Sequence, residues 1–344
     1  MENKVRLSLD HVQDQLWAIR DGKLDEINAV VQALLEGKQP PLYDRFAGIG
    51  IEAAAGSGEK PYAVQKTSMG RVAMIPIFGT IMKRANLFSE WSGGCSSQKV
   101  MSMIAKALDD DDVDIIGLDV DSPGGAVDGT KTLADFIFNA RGKKPIVAFS
   151  DGTIASAAYW IASAADSIHI CETACVGSIG VRLTHYDMSG KDRANGVVRT
   201  TIFAGKFKAI ADDTGPLSQE GRDYLQELVD KTYGSFLADV ARNRGVSMDA
   251  AVKMAEGRLF IGKDAVDIGL VDGIGQLDAA IGRTSYAGRR QSMEKKILEM
   301  QAALDQANAR IAAIEEEKRV ALEQAELEKK AAAEEQARLA LELT

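Results

Sequence analysis

Histidine and cysteine are both scarce, with three of each in 344 residues. Three cysteines, Cys95, Cys171 and Cys175, are too few for a disulfide framework and leave one unpaired. They read as reduced, small apolar residues of a cytoplasmic protein. Cys171 and Cys175 have metal-like proximity, but no second pair or histidine cluster completes a ligand set, so no metal is expected. No apolar run reaches about 18 residues, and the start, MENKVRLSLD, lacks a signal-peptide core. The sequence alone therefore predicts no membrane segment. Net charge is −9, which removes the electrostatic footprint of a nucleic-acid binder.

What is present is an ordinary globular composition, 46% hydrophobic and 26% charged, enough for one large or two modest domains. Residues 1–38 read as helical, with LWAIRDGKLDEINAVVQALLEG carrying apolar positions at helical spacing. Gly37 and Pro40-Pro41 end that element. Residues 44–69 are small and polar and read as a linker; Gly48 and Gly50 resemble a dinucleotide loop only faintly. The segment 1–69 is thus expected as an N-terminal helical segment and linker.

From residue 71 short apolar runs alternate with helical stretches. Strands are expected at 72–79, 114–121, 145–150, 167–171, 176–181 and 198–204, and helices at roughly 126–141, 154–166 and 217–244. This alternation predicts an α/β fold of repeated parallel β/α units. Residues 293–344 contain no Gly or Pro. Ile297, Met300, Leu304, Ala307, Ile311 and Ile314 step by threes and fours, an a/d seam that predicts a C-terminal coiled-coil helix behind a linker at 284–292.

The scarcity of histidine also narrows the catalytic options. A Ser-His-Asp triad needs a histidine able to reach the serine, and of His11, His169 and His185 only His185 falls near a loop. A lysine can serve instead if burial lowers its pKa. Ser156 lies in the first turn of an Ala-rich helix, after a strand and loop, with Ala155, Ala157 and Ala158 beside it. There it is either a nucleophile at a helix start or a small packing residue. Asp121-Ser122-Pro123-Gly124-Gly125 follows a strand at the carboxyl end, where β/α sheets place ligands. The two glycines can turn N–H groups toward an oxyanion, or simply make the turn into the next helix.

DVDSPGG, then ASAAYWIASAAD, then VGSIGV resemble, in order and spacing, the signal peptide peptidase A family. GRLFIGKDAVDIGLVDGIG (257–275) resembles its closing segment. The resemblance covers about 70–283 and implies a serine peptidase domain with the fold of Clp protease and crotonase. It makes Ser156 the nucleophile of a Ser-Lys dyad, gives Gly124, Gly125 and Ala157 the oxyanion and substrate contacts, and needs no cofactor. Two departures stand out. Ala157 and Ala158 replace the family's Gly-Gly after the serine. The family's lysine directly follows a residue matching Ser189, whereas here Gly190 takes that place and Lys191 comes one later. Lys191 is the first candidate base, with Lys206 and Lys208 in AGKFKA as alternatives.

Within the family, membrane-bound members clear signal peptides and soluble phage members process head proteins. A charged coiled-coil tail and no membrane segment imply the second role. The expected protein is a homo-oligomeric endopeptidase acting on scaffold, capsid and portal proteins in the host cytoplasm, inside the assembling procapsid. The other readings are a signal-peptide-degrading peptidase, a catalytically degenerate assembly protein, and a crotonase-like acyl-CoA enzyme, for which the expected glutamates are not apparent.

Overall fold

The computed structural model describes residues 16–24, 27, 29, 60–84 and 94–275. All of them fall in the first of the chain's two units, Met1–Tyr286; the second, Ala287–Thr344, lies outside them. The expected coiled-coil tail at 293–344, the linker at 284–292 and most of the N-terminal stretch also lie outside them.

The described residues form a mixed α/β body. Its main sheet has six strands. β2 (Ala63–Thr67) pairs antiparallel with β3 (Gly70–Phe78). β6 (Ile115–Asp121), β8 (Ile146–Ser150), β10 (Ser167–Ile170) and β13 (Gly273–Ile274) then continue from β3 in parallel. Val, Ile and Ala fill these strands because helices cover them, and a parallel strand buried on both faces reads as a near-continuous apolar run.

After each main strand the chain makes a second, shorter one. β4 (Ile81–Met82) follows β3, β7 (Gly124–Ala126) follows β6, β9 (Thr153–Ala155) follows β8, and β11 (Cys175–Gly177) follows β10. These enter two small sheets, β1-β7-β4-β5 and β12-β11-β9, with β1 at Trp17–Ile19, β5 at Cys95–Ser96 and β12 at Leu259–Ile261. A helix closes each of the first three units: α1 (Ser97–Asp109), α2 (Thr130–Ala140) and α3 (Ala157–Ala162). α1 shows the usual logic. Ser96 caps it by accepting from the Lys99 N–H, and Val100, Ile104 and Ala107 put one stripe into the core.

α4 (Ser189–Ala194) is short and has no buried residue. α5 (Gln219–Arg244) is capped by Ser218 and ends on left-handed Gly245. α6 (Met248–Lys253) and α7 (Lys263–Asp267) complete the order.

Three expectations are corrected. Trp17–Ile19, expected inside a helix, is a strand, and helical backbone begins only at Lys23. Residues 63–67, expected as linker, form the hairpin partner of β3. Residues 198–204, expected as a strand, pair with no strand among the described residues, and Val198 and Ile202 are 90% and 93% exposed there, so their apolar pattern enters no described core.

Candidate active site

Ser156 sits between β9 and α3 at the carboxyl end of the strands. Its backbone, φ 56 and ψ −116, lies in a region that L-residues rarely occupy. Such strain persists only where surroundings over-determine it, and it concentrates at functional sites. Here the surroundings are explicit. The Ser156 N–H donates to Gly177 O at 2.7 Å, its carbonyl accepts from the Trp160 N–H at 2.9 Å, and the Ala155 N–H before it donates to Ser122 O at 3.1 Å. A sharp strand-to-helix turn of this kind is how hydrolases lift a serine hydroxyl out of a sheet.

The Asp121–Gly125 loop is placed beside it. Ser122 bridges to Ile154 and donates its N–H to Thr153 O at 2.8 Å. Asp121 Oδ1 accepts the Thr153 N–H at 3.0 Å. The Ser122 hydroxyl donates to Gly79 O at 2.6 Å and accepts the Gly124 N–H at 3.1 Å. Gly124 has φ +103, and a Cβ there would stand 3.0 Å from Ser156 Cβ. Glycine is therefore required on two counts, backbone angle and contact distance. Ala157 is the first residue of α3, where the N–H has no intrahelical acceptor. The structure thus brings Ser156, Gly124, Gly125 and Ala157 together.

Among the described residues no lysine is hydrogen-bonded to them. Ser156 Oγ donates to Gly180 O at 3.4 Å, and Lys191, Lys206 and Lys208 are not among its hydrogen-bond partners. All three lysines are exposed. Lys191 lies on α4, and Lys206 Nζ is 2.5 Å from Glu220. Lys208 lines a concavity with Ile202, Phe203, Phe207 and Tyr224. His185 contacts Gly215 O at 3.3 Å, not Ser156.

Residues that hold the serine's helix were not foreseen. Trp160 stacks on Phe236 of α5, with ring centroids 4.3 Å apart, and donates Nε1–H to Asp239 Oδ2 at 2.8 Å. Asp239 is buried and also accepts Lys131 Nζ at 2.8 Å. Asn243 donates to the Ser163 hydroxyl at 2.9 Å. Arg141 donates to the carbonyls of Ser163, Ala164 and Ala165 at 2.6–3.1 Å, which satisfies the turn that follows α3. Burial pushes the Tyr159 phenol up, so it stays neutral and donates to Leu270 O at 2.9 Å. Phe236, Asp239 and Asn243 share one helix face, a spacing visible in the sequence, but nothing local shows that this face meets Trp160.

Comparison with known proteins agrees with this geometry. Residues 139–288 match the model of peptidase family S49, a stretch that contains Ser156 and begins after Gly124-Gly125. A Methanocaldococcus jannaschii protein named as a protease is 38% identical over 172 residues, 50% of this chain and 55% of that one. The capsid assembly protease C of Escherichia phage lambda is 32% identical over 204 residues, 59% of this chain and 46% of that one. An Enterococcus faecium protein named for signal peptide peptidase is 29% identical over 261 residues, 74% of this chain and 75% of that one. The chain spans about half the length of the first two. Residues 139–288, which carry the strained serine, are thus those of a peptidase family S49 match, and the glycine loop packs against them from just before it.

Proposed function

We propose that this chain is a serine endopeptidase of the Clp protease/crotonase fold class, with Ser156 as nucleophile and a lysine as base, acting on protein substrates of phage head assembly. The observation that carries the reading is the close approach of Gly124 to Ser156: a Cβ on this left-handed glycine would stand 3.0 Å from Ser156 Cβ, so the glycine loop lies directly beside the strained serine. The repeated long strand, short strand and helix support the fold class. In this reading the loop of Gly124 and Gly125 and the N-terminus of α3 at Ala157 supply the backbone N–H groups for the oxyanion that forms when Ser156 attacks, the Gly124 N–H leaving the Ser122 hydroxyl to do so. The phage relative's name supports the head-assembly role.

The three lysines differ in setting. Lys206 is committed to Glu220, and Lys191 lies on a short exposed helix. Lys208 has aromatic neighbours at Phe203, Phe207 and Tyr224. A contact that covered residues 197–210 would bury Lys208 together with these rings. Val198, Ile202 and Phe203 are exposed on that same segment and supply an apolar surface for such a contact, including one between copies of the chain.

The decisive experiment compares Ser156→Ala with the parent on a denatured protein substrate. Hydrolysis should fall by about 10³-fold or more, with an unchanged melting temperature. Lys208→Ala should abolish activity, whereas Lys191→Ala and Lys206→Ala should retain it; if all three retain it, the dyad is wrong. That no lysine among the described residues is hydrogen-bonded to Ser156 favours a second reading, an assembly protein with a silent site. Covalent labelling of the parent, but not of Ser156→Ala, by a fluorophosphonate would exclude it.

A further inference from the structure

The strand β1 lies where a polypeptide substrate would have to lie. It runs antiparallel to the strand that carries the glycine pair, with Trp17 opposite Ala126, Ala18 opposite Gly125 and Ile19 opposite Gly124. The Arg20 N–H donates to Pro123 O at 2.8 Å, and the Val127 N–H donates to Leu16 O at 3.0 Å. On the opposite edge the Trp17 N–H donates to Arg182 O at 2.9 Å, and the Arg182 N–H donates back to Trp17 O at 2.8 Å. Residues 16–20 are therefore paired along one edge with the glycine loop and held on the other, at Trp17, by Arg182 of the segment that follows β11. This is strand addition, the mode by which grooves take extended peptides.

The segment also covers the nucleophile. Ala18 O stands 2.3 Å from the point a Gly124 Cβ would occupy, and Ser156 Cβ stands 3.0 Å from that same point. Ser156 itself is only 1% exposed. A serine that must attack a polypeptide carbonyl cannot do so while this strand is in place.

The side chains alternate as a strand requires. Trp17 and Ile19 join Leu24, Ile27, Met82 and Ala126 in a satellite apolar cluster. Ala18, between them, is fully buried in the main core cluster, which also contains Ala157 and Ala158. The segment thus presents large, small, large, with the small residue in the main core and the large ones in the satellite cluster.

We infer that Leu16–Arg20 is a built-in occupant of the peptide groove, and that the groove selects extended apolar segments in which a small residue is flanked by two large ones. The inference rests on the peptidase reading above. A strand tethered in the same chain competes at an effective concentration of about millimolar. External polypeptides bind only the fraction of molecules in which it has left, so their apparent affinity is reduced by that fraction.

The test uses the full chain carrying Ser156→Ala, so that nothing is consumed. A fluorescent peptide with the sequence of residues 13–22 is titrated by anisotropy, with and without Trp17→Ser. Trp17→Ser removes the largest anchor of the internal strand and leaves the groove walls unaltered. Binding should tighten at least tenfold. Unchanged or weaker binding, with a lower melting temperature, would make β1 a purely structural strand and overturn the inference. If Trp17→Ser does not fold, Ile19→Ser is read the same way; if neither folds, the inference also falls. Hydrolysis of the same peptide is then followed with Ser156 intact. Tighter binding without hydrolysis keeps the groove assignment and removes the peptidase reading, and hydrolysis without tighter binding does the opposite.

Discussion

Gly124→Ala is the smallest change that should disable the site, and its cost can be worked from the geometry. An L-residue at φ +103 is strained by about 1–3 kcal/mol. The added Cβ would meet Ala18 O at 2.3 Å and both Ala155 O and Ser156 Cβ at 3.0 Å. Two of these are backbone oxygens, which cannot rotate aside, so overpacking adds about 1–3 kcal/mol more. The sum, about 2–6 kcal/mol, should lower the melting temperature by roughly 5–20 °C. Activity should fall further than stability, because relief must come from moving Ser156 or β1, and a displacement near 1 Å can cost about 100-fold in rate. The assay is kcat/KM on a protein substrate, measured well below the transition, beside a calorimetric scan. Gly234→Ala is the control. Gly234 lies in α5 with nothing within 4 Å of its would-be Cβ, so alanine there should stabilise by about 1 kcal/mol and leave the rate unchanged. A Gly124→Ala chain that melts with the parent and retains its rate would show that this contact does not shape the site.

Two further perturbations address what holds the site in place. Asp239→Ala strands the buried Trp160 N–H and frees Lys131, so it should cost about 2–4 kcal/mol by chemical denaturation; Lys131→Ala, at a more exposed partner, should cost under about 1 kcal/mol. Asp272 gives the pH dependence. Burial pushes its carboxyl up, but the Arg244 guanidinium and the Ile168 N–H outweigh burial and hold it below the usual range. A depressed folded pKa means the contribution is present above the unfolded value of about 3.9 and is lost as pH falls through the folded one. Asp272→Asn should therefore melt lower than the parent near neutral pH, and the gap should narrow on acidification; a gap constant down to pH 2 would refute this.

What the sequence made legible follows from range. β3, β6, β8 and β10 declare themselves because each is buried on both faces and must be apolar along its length. β7 and β9 are three residues each, Gly-Gly-Ala and Thr-Ile-Ala, too short to carry a period. Ser156, Gly124 and Gly125 were singled out by their motifs, but their packing is spatial: the Cβ that Gly124 lacks would stand 3.0 Å from Ser156 Cβ. The 198–204 stretch misled because apolar composition cannot distinguish a strand with a partner from a surface awaiting one.

Trp17–Ile19 misled for a related reason. LWAIRDGKL continues at helical spacing into residues that are helical, and its strand character exists only through pairing with Gly124–Ala126 and Arg182, more than a hundred residues away. A segment whose conformation is set by its partner rather than by its own propensity is also one that another chain can replace. The pairing of residues 16–20 with the glycine loop and with Arg182 uses backbone groups alone, and any extended polypeptide of the right side-chain sizes offers the same groups. Discrimination between the internal strand and an external substrate must then come from side chains, from Trp17 and Ile19 in the satellite cluster against whatever large residues the substrate brings. On the inferred occupancy, specificity would lie in Leu24, Ile27, Met82 and Ala126, away from the proposed nucleophile.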